Sequence, residues 1–331
     1  MAAPLDVIDE QAGPSDRRFA VRPLDVIDEQ AGPSDRRFAV RPLDVVDEQA
    51  GPSNRRFVLR LADGARVEAV AYCGGETACV SCQVGCAVGC PFCASGRNGL
   101  GRPLTLAEMV GQIEALRTLG LRPHRVTVSG IGEPLHNAGV VSAFLSWCRR
   151  ERIAPSLTTS GGTLARLTEA LLDWPHNGLT LSVHAGSEAV RARLVPRGPP
   201  LAALFSLLAA LTPKLSARRR KKTALAYLLL DGENDGDEEV RAFVERSRPL
   251  GLLVHLYAYN PVPGGPPSGV SEKRFQEVYD AMQAGGLEVR RSSKARREPV
   301  GGCGTLVSLR RGPRAASTPD RRPSEDTDVS P

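Results

Sequence analysis

The chain has 331 residues, 41% of them apolar, enough for one large domain or two ordinary ones with a sizeable core. Its start, MAAPLDVIDEQAG, lacks the basic segment and apolar run of a secretory signal, and its longest near-apolar run, LAALFSLLAAL at 201–211, is about half of the ~20 residues a membrane span needs. A cytoplasmic protein without membrane attachment is expected, whose eight cysteines stay reduced and read as metal ligands or catalysts before disulfides.

In chain order, residues 4–22, 23–41 and 42–60 are three near-identical copies of PLDVIDEQAGPSDRRFAVR, each with Pro, Gly and a charged middle rather than the apolar pattern of a stacking solenoid. Residues 1–53 are therefore expected to be largely disordered. The third copy runs into RRFVLRLADGARVEAVAY, two alternating runs about Asp63-Gly64, which predicts a β-hairpin extension over 54–76.

Strands are predicted over Ala78–Val84, Arg125–Ser129, Ser156–Thr159, Leu179–Val183, Thr223–Leu229 and Leu252–Ala258. Helices are predicted over 105–120, 138–150, 163–173 and 235–248, the first capped by Thr105 with Glu108. Repeated strand–helix units imply an α/β fold, a partial (β/α)6 TIM-like barrel spanning 77–310, with a disordered tail over 311–331. The cysteine cluster, GIGEP, TTSGG, SVHAG, LLDGEND and AYNPVPG each follow one strand. All six loops then share the rim where parallel α/β folds bind ligands.

Net charge is +6 and the excess is local, in SARRRKK at 216–222 and VRRSSKARR at 289–297. Each run suits a phosphate backbone or a solvated face equally, and scarce aromatics argue against a stacking platform for single-stranded RNA.

Cys86, Cys90 and Cys93 have the spacing C-x3-C-x2-C. A structural zinc site needs four protein ligands, and no second C-x2-C or H-x3-H pair follows. A zinc nucleobase deaminase would need an H-x-E element upstream of P-C-x-x-C, but Gly89 precedes Cys90 and no H-x-E occurs. Three cysteines on a [4Fe–4S] cluster leave one iron open, which suits the amino and carboxylate groups of S-adenosylmethionine (SAM). Cys303 is a thiol remote from that cluster, flanked by Gly301, Gly302 and Gly304.

CVSCQVGCAVGCPFCASGRNGLGRPLTLAEMVGQI, VTVSGIGEPLHN, LTTSG, LTLSVHAGSEAVRARLVP, YLLLDGENDGDEEV, AYNPVPG and GGCGTL, in that order, closely resemble the radical-SAM adenine C2 methyltransferases of 23S ribosomal RNA and transfer RNA. The related chloramphenicol–florfenicol resistance methyltransferases, which modify adenine C8, share the plan. The resemblance runs from about Arg56 to Leu306. It implies two SAM molecules per turnover and an electron donor such as flavodoxin with its reductase; a monomer is expected.

By the same resemblance Cys303 carries the methyl group and Cys79 releases the RNA adduct by forming a disulfide with it, while Glu68 takes the ring proton. Cys86, Cys90 and Cys93 hold the cluster. Gly132, Glu133, Thr158, Ser182, Val183, His184 and Asn260 contact SAM. C2 of adenine is favoured over C8, and a radical-SAM enzyme with a non-RNA substrate is the alternative. This chain departs from the family in having the 19-residue copies where an N-terminal accessory domain is usual, Thr158 and Cys82 where serine is common, and Glu298 near an expected aspartate. Cys82 and Cys148 are expected to be passive buried residues, and Cys73 has no assignment.

Overall fold

In the computed structural model the alternation of branched apolar and small polar residues resolves into a parallel sheet. The structure describes residues 40–307 apart from Asn98, Pro267 and the side chain of Lys294; the first two copies up to residue 39 and the expected tail over 311–331 lie outside the described residues. From Arg41 on, the described residues belong to one compact unit.

Among the described residues ten strands form one sheet. Three antiparallel strands lead in: β1 (Asp44–Ala50), β2 (Asn54–Arg60) and β3 (Arg66–Tyr72), which pairs with β4 (Thr77–Val80). A separate two-stranded hairpin, β5 (Gln83–Gly85) and β6 (Leu100–Pro103), follows. The parallel series continues from β4 through β7 (Arg125–Val128), β8 (Ala154–Thr159), β9 (Gly178–Ser182), β10 (Thr223–Leu229), β11 (Leu253–Ala258) and β12 (Val289–Arg291).

Spatial order equals chain order. The crossovers carry α1 (Leu106–Thr118), α2 (Ala138–Arg150), α3 (Leu164–Leu172), α4 (Glu188–Leu194), α5 (Leu201–Leu211), α6 (Ala217–Lys222), α7 (Asp237–Ser247) and α8 (Glu272–Ala284). Helices packed on one face of a sequentially ordered parallel sheet give a TIM-like partial barrel. The short β12 extends the six expected strands.

Alternation decides which face each side chain takes. Pro155, Leu157 and Thr159 of β8 point to the helices and are buried, while Ser156 and Thr158 face the lumen. The register places Cys79 beside Thr127, and Thr127 beside Ser156, on that lumen face. Thr105 and Glu108 close their capping box on α1, with 2.8 Å from the Thr105 N–H to the Glu108 carboxylate.

Two expectations are corrected in detail. The run Ala78–Val84 is two strands rather than one, because Gln112 of α1 accepts from the Ser81 N–H at 2.9 Å and donates to the Ser81 carbonyl at 2.9 Å. Those two groups would otherwise continue the ladder. The folded extension also begins before residue 54, since Asp44–Ala50 of the third copy forms β1, an edge strand laced to β2 by Arg55–Glu48 at 2.7 Å and Arg60–Asp44 at 3.1 Å. Asn54, buried at the head of β2, donates through Nδ2 to the carbonyls of Ala295 and Val300.

No helix among the described residues is long and apolar enough to cross a membrane; the run at 201–211 is the amphipathic α5.

Candidate functional site

The cysteine loop is the tip of the β5–β6 hairpin. Cys86, Cys90 and Cys93 pack with Val88, Phe92, Val190, Leu194 and Tyr259, and the Cys93 N–H closes a turn onto the Cys90 carbonyl at 3.1 Å. Burial pushes all three thiols up, Cys86 to about 12. Left alone they are neutral thiols; a bound cationic centre would supply the charge that deprotonation needs.

Among the described residues no three His, Cys, Asp or Glu side chains close on a single metal ion. A cube asks for something different, since each thiolate sits on its own iron. An all-sulfur donor set on one loop in apolar packing fits it.

Around this loop stand the other strand ends. Glu133, after β7, is buried, and its carboxylate accepts from the Leu135 N–H at 3.0 Å, from the Ser160 N–H and hydroxyl at 2.7 Å each, and from the Thr159 hydroxyl. Its own N–H goes to Gln83 at 2.8 Å. Gly132 has φ +113°, and a Cβ there would meet Gln83 and Cys82 at under 3 Å, so only glycine passes the chain beneath the hairpin.

His184, after β9, takes a left-handed φ of 58°; its Nδ1 accepts from the Leu228 N–H at 2.9 Å, which leaves the ring proton on Nε2. The Phe92 ring stands edge-on to it at 5.3 Å, and burial lowers its pKa to about 3. The carbonyls of Ser182 and Val183 accept from the Arg191 guanidinium at 2.6 and 2.9 Å, and that of Ser160 at 2.7 Å. Thr158 lies lower, on the lumen wall with Thr180, His255, Tyr257 and Arg296.

Cys303 reaches the same mouth. A narrow cavity is lined by Tyr72, Cys79, Cys93, Ser129, Cys303 and Leu306, among others. The carbonyl of Gly304 accepts from the Ala94 N–H at 2.8 Å and that of Leu306 from the Ser95 hydroxyl at 2.9 Å, which stitches the Cys303 segment to the cysteine loop.

Asn260 donates to the carbonyls of Arg296 and Cys303 at 2.8 and 3.1 Å, Tyr72 donates to Gly301 at 2.9 Å, and Arg296 donates to Cys303 Sγ at 3.4 Å. A Cβ on Gly302 would meet the Glu298 carbonyl at 2.3 Å and Asn260 Nδ2 at 2.7 Å, so the segment needs glycine there. Cys79 lies 3.2 Å from the Ser129 hydroxyl, and burial holds its thiol at about 11. Cys79 and Cys303 are both free thiols in this structure.

Glu68 stands one step away. Its carboxylate accepts from the Val307 N–H at 2.9 Å, with Arg56 at 3.6 Å, and burial raises its pKa. It neighbours the cavity through Val307 rather than lining it. Cys148 is buried in α2 as expected, Cys82 is buried as well, and Cys73 is exposed on a turn.

The sequence reading missed Arg191, Arg296, Tyr72 and Ser129. Tyr72 and Ser129 act through partners far along the chain, whereas Arg191 and Arg296 reach groups within ten residues that only the turns of the fold bring to them. The motif LSVHAGSEAVRARLVP does contain Arg191, and two buried glycine-flanked carbonyl turns with no nearby cation were the available clue.

The radical SAM superfamily pattern matches residues 80–244. A probable dual-specificity RNA methyltransferase RlmN of Rhodopirellula baltica is 35% identical over 260 residues, covering 74% of this chain and 68% of its own. The RlmN of Halorhodospira halophila is 33% identical, covering 77% and 73%. The crystal structure of a radical SAM methyltransferase from Sphaerobacter thermophilus superposes with a TM-score of 0.72 at 29% identity, covering 80% of this chain and 81% of that one.

Proposed function

The chain belongs to the RlmN family of radical-SAM RNA methyltransferases, and from that premise we propose that it methylates C2 of an adenine in 23S ribosomal RNA, transfer RNA or both. The observation that carries the proposal is the shared cavity wall of Cys79, Cys93 and Cys303, which sets two thiols far apart in sequence beside the cluster loop.

Cys86, Cys90 and Cys93 would hold a [4Fe–4S] cluster, which with SAM and an electron from an external donor such as reduced flavodoxin would supply the 5′-deoxyadenosyl radical. This chain's residues do the rest. Glu133, Ser182, Val183, His184, Asn260 and, lower on the lumen wall, Thr158 frame the SAM site. Arg191 fixes the turns after β8 and β9 against each other through their carbonyls.

Cys303 Sγ gives its proton to solvent and takes the methyl group of a first SAM, which leaves as S-adenosylhomocysteine. Asn260 and Arg296 hold that sulfur toward the mouth. The 5′-deoxyadenosyl radical would take a hydrogen atom from that S-methyl group; the amidine carbon of adenine is electrophilic, so it accepts the resulting carbon radical where it would not attack a sulfonium, and the adduct then passes one electron to an external one-electron acceptor. Glu68, whose raised pKa brings it nearer neutrality, removes the ring proton after Val307 gives way. Cys79 then attacks Cys303 sulfur, giving up its proton; the sulfur–sulfur bond forms as the sulfur–carbon bond breaks, and the electron pair left on the RNA's exocyclic carbon takes up a proton to complete the methyl group and release the RNA. Such a cycle belongs to a reducing, cytoplasmic setting, where the disulfide is reopened.

The test is reconstitution with iron and sulfide, then incubation with SAM, reductant and ribosomal or transfer RNA, followed by nucleoside mass spectrometry. 2-Methyladenosine is expected. 5′-Deoxyadenosine without any methyladenosine would overturn the proposal, and 8-methyladenosine would overturn the C2 assignment. Cys303→Ala should abolish transfer while keeping the cluster's visible absorption, and Cys79→Ala should accumulate a protein–RNA crosslink.

A further inference from the structure

The two basic runs noted in the sequence converge. α6 lies immediately before β10, and Arg220 and Lys221 line an open cleft with Gly251, Leu253, Glu288 and Arg290 at the ends of the strands opposite the cysteine loop. The helix is anchored by the inward Arg219, which donates to the carbonyls of Leu171 at 2.8 Å and Trp174 at 2.9 Å, so its other cations are held outward.

Among the described residues no carboxylate pairs with Arg218, Arg220, Lys221 or Lys222, while Arg290 pairs with Glu288 at 2.9 Å. Arg290 also lines the lumen cavity that contains Arg296, and Arg296 reaches Cys303 Sγ. A strip of cations thus runs from the cleft up the β12 side to the reactive thiol.

We propose that this cleft and strip hold the phosphate backbone of the substrate RNA along the β12 side of the barrel, the cleft engaging phosphates at the end remote from the target adenine, an inference that rests on the RNA-methyltransferase reading. Fixed cations without carboxylate partners gain most by neutralising phosphates and releasing counterions. Leu253 is the one large apolar side chain of the cleft, which gives a protein partner little to anchor on. Aromatic side chains do not line it, so it holds a backbone rather than stacked bases.

The experiment measures fluorescence anisotropy of labelled total transfer RNA with the reconstituted full chain, across a KCl series. The test variant is Arg220→Gln/Lys221→Gln/Arg290→Gln; a matched control of equal charge loss on outer helices is Arg150→Gln/Arg241→Gln/Lys273→Gln. The salt slope of log K should shrink by about 0.7–0.9 for each phosphate that the test variant no longer neutralises. Affinity at fixed salt should fall at least tenfold there and less than threefold in the control. 5′-Deoxyadenosine formation without RNA should match the wild type in Arg220→Gln/Lys221→Gln, whose two residues lie outside the lumen cavity.

A second variant, Arg220→Gln/Lys221→Gln, leaves β12 intact, so a weakened slope in both separates the cleft from a strand defect. Wild-type slope in the test variant, or an equal loss in the control, overturns the inference. If the wild type methylates RNA while the test variant binds it unchanged, this surface alone is wrong. If the wild type binds no RNA, the function itself falls with it.

Discussion

Arg191 is almost wholly buried, yet it meets no carboxylate in hydrogen-bond contact, only the carbonyls of Ser160, Ser182, Val183 and Pro199. Its removal would strand several buried acceptors at once. Arg191→Met is expected to cost about 3 kcal/mol in urea unfolding of the apoprotein; a loss under about 1 kcal/mol would show that the turns hold without it. His184 makes a prediction of opposite sign to a surface histidine. Its pKa is lowered by burial from the ordinary value near 6.5 to about 3. The folded state therefore disfavours the proton, and the stability this ring contributes is complete above pH ~6.5 and lost as pH falls toward 3, at about 1.4 kcal/mol per unit. His184→Asn, which tolerates the left-handed φ, should lose less stability than wild type over that window. His176, lowered to about 4, is common to both and cancels in the difference. Gly302→Ala should prevent methylation of Cys303, read by intact-protein mass spectrometry, while the cluster still loads.

At the scale of elements, alternation made most of the parallel strands readable, because each buries one face on helices and turns the other to a polar lumen. The capping box and the cysteine spacing were readable for the same reason: their chemistry is local. What escaped was non-local. The break at Ser81 comes from Gln112, thirty-one residues on. β1 escaped because its DVVDEQA pattern buries little and pairs through charges rather than apolar faces. The third copy differs from the other two at positions that its place in the sheet uses. It carries Asn54 and Leu59 where the first two carry Asp16 and Val21, and Asp35 and Val40. Asn54 donates two hydrogen bonds that an aspartate cannot make, and Leu59 is fully buried. Asn54→Asp, which restores the residue of the other copies, should set a carboxylate against two carbonyls and lower stability by about 2 kcal/mol; an unchanged melting curve would contradict this account.

For the molecule as a whole, the cluster loop and its cofactor are linked through folding. Thiols that burial keeps neutral contribute little until a metal centre takes their protons, and such a centre binds the folded loop alone. Loaded protein should melt several degrees above chelator-treated protein, and Cys86→Ala/Cys90→Ala/Cys93→Ala should erase the difference. Much of the site is also assembled from the two ends of the described chain. Residues 295–307 bond to Asn54, Glu68, Tyr72, Ala94, Ser95 and Asn260 as well as among themselves. A ribosome makes the amino end first, so the hairpin, the thiolate loop and the whole row of strands exist before Cys303 emerges. Metal assembly factors would then meet an unlidded mouth during synthesis, and the sulfur proposed to carry the one-carbon unit is the last working part to be delivered.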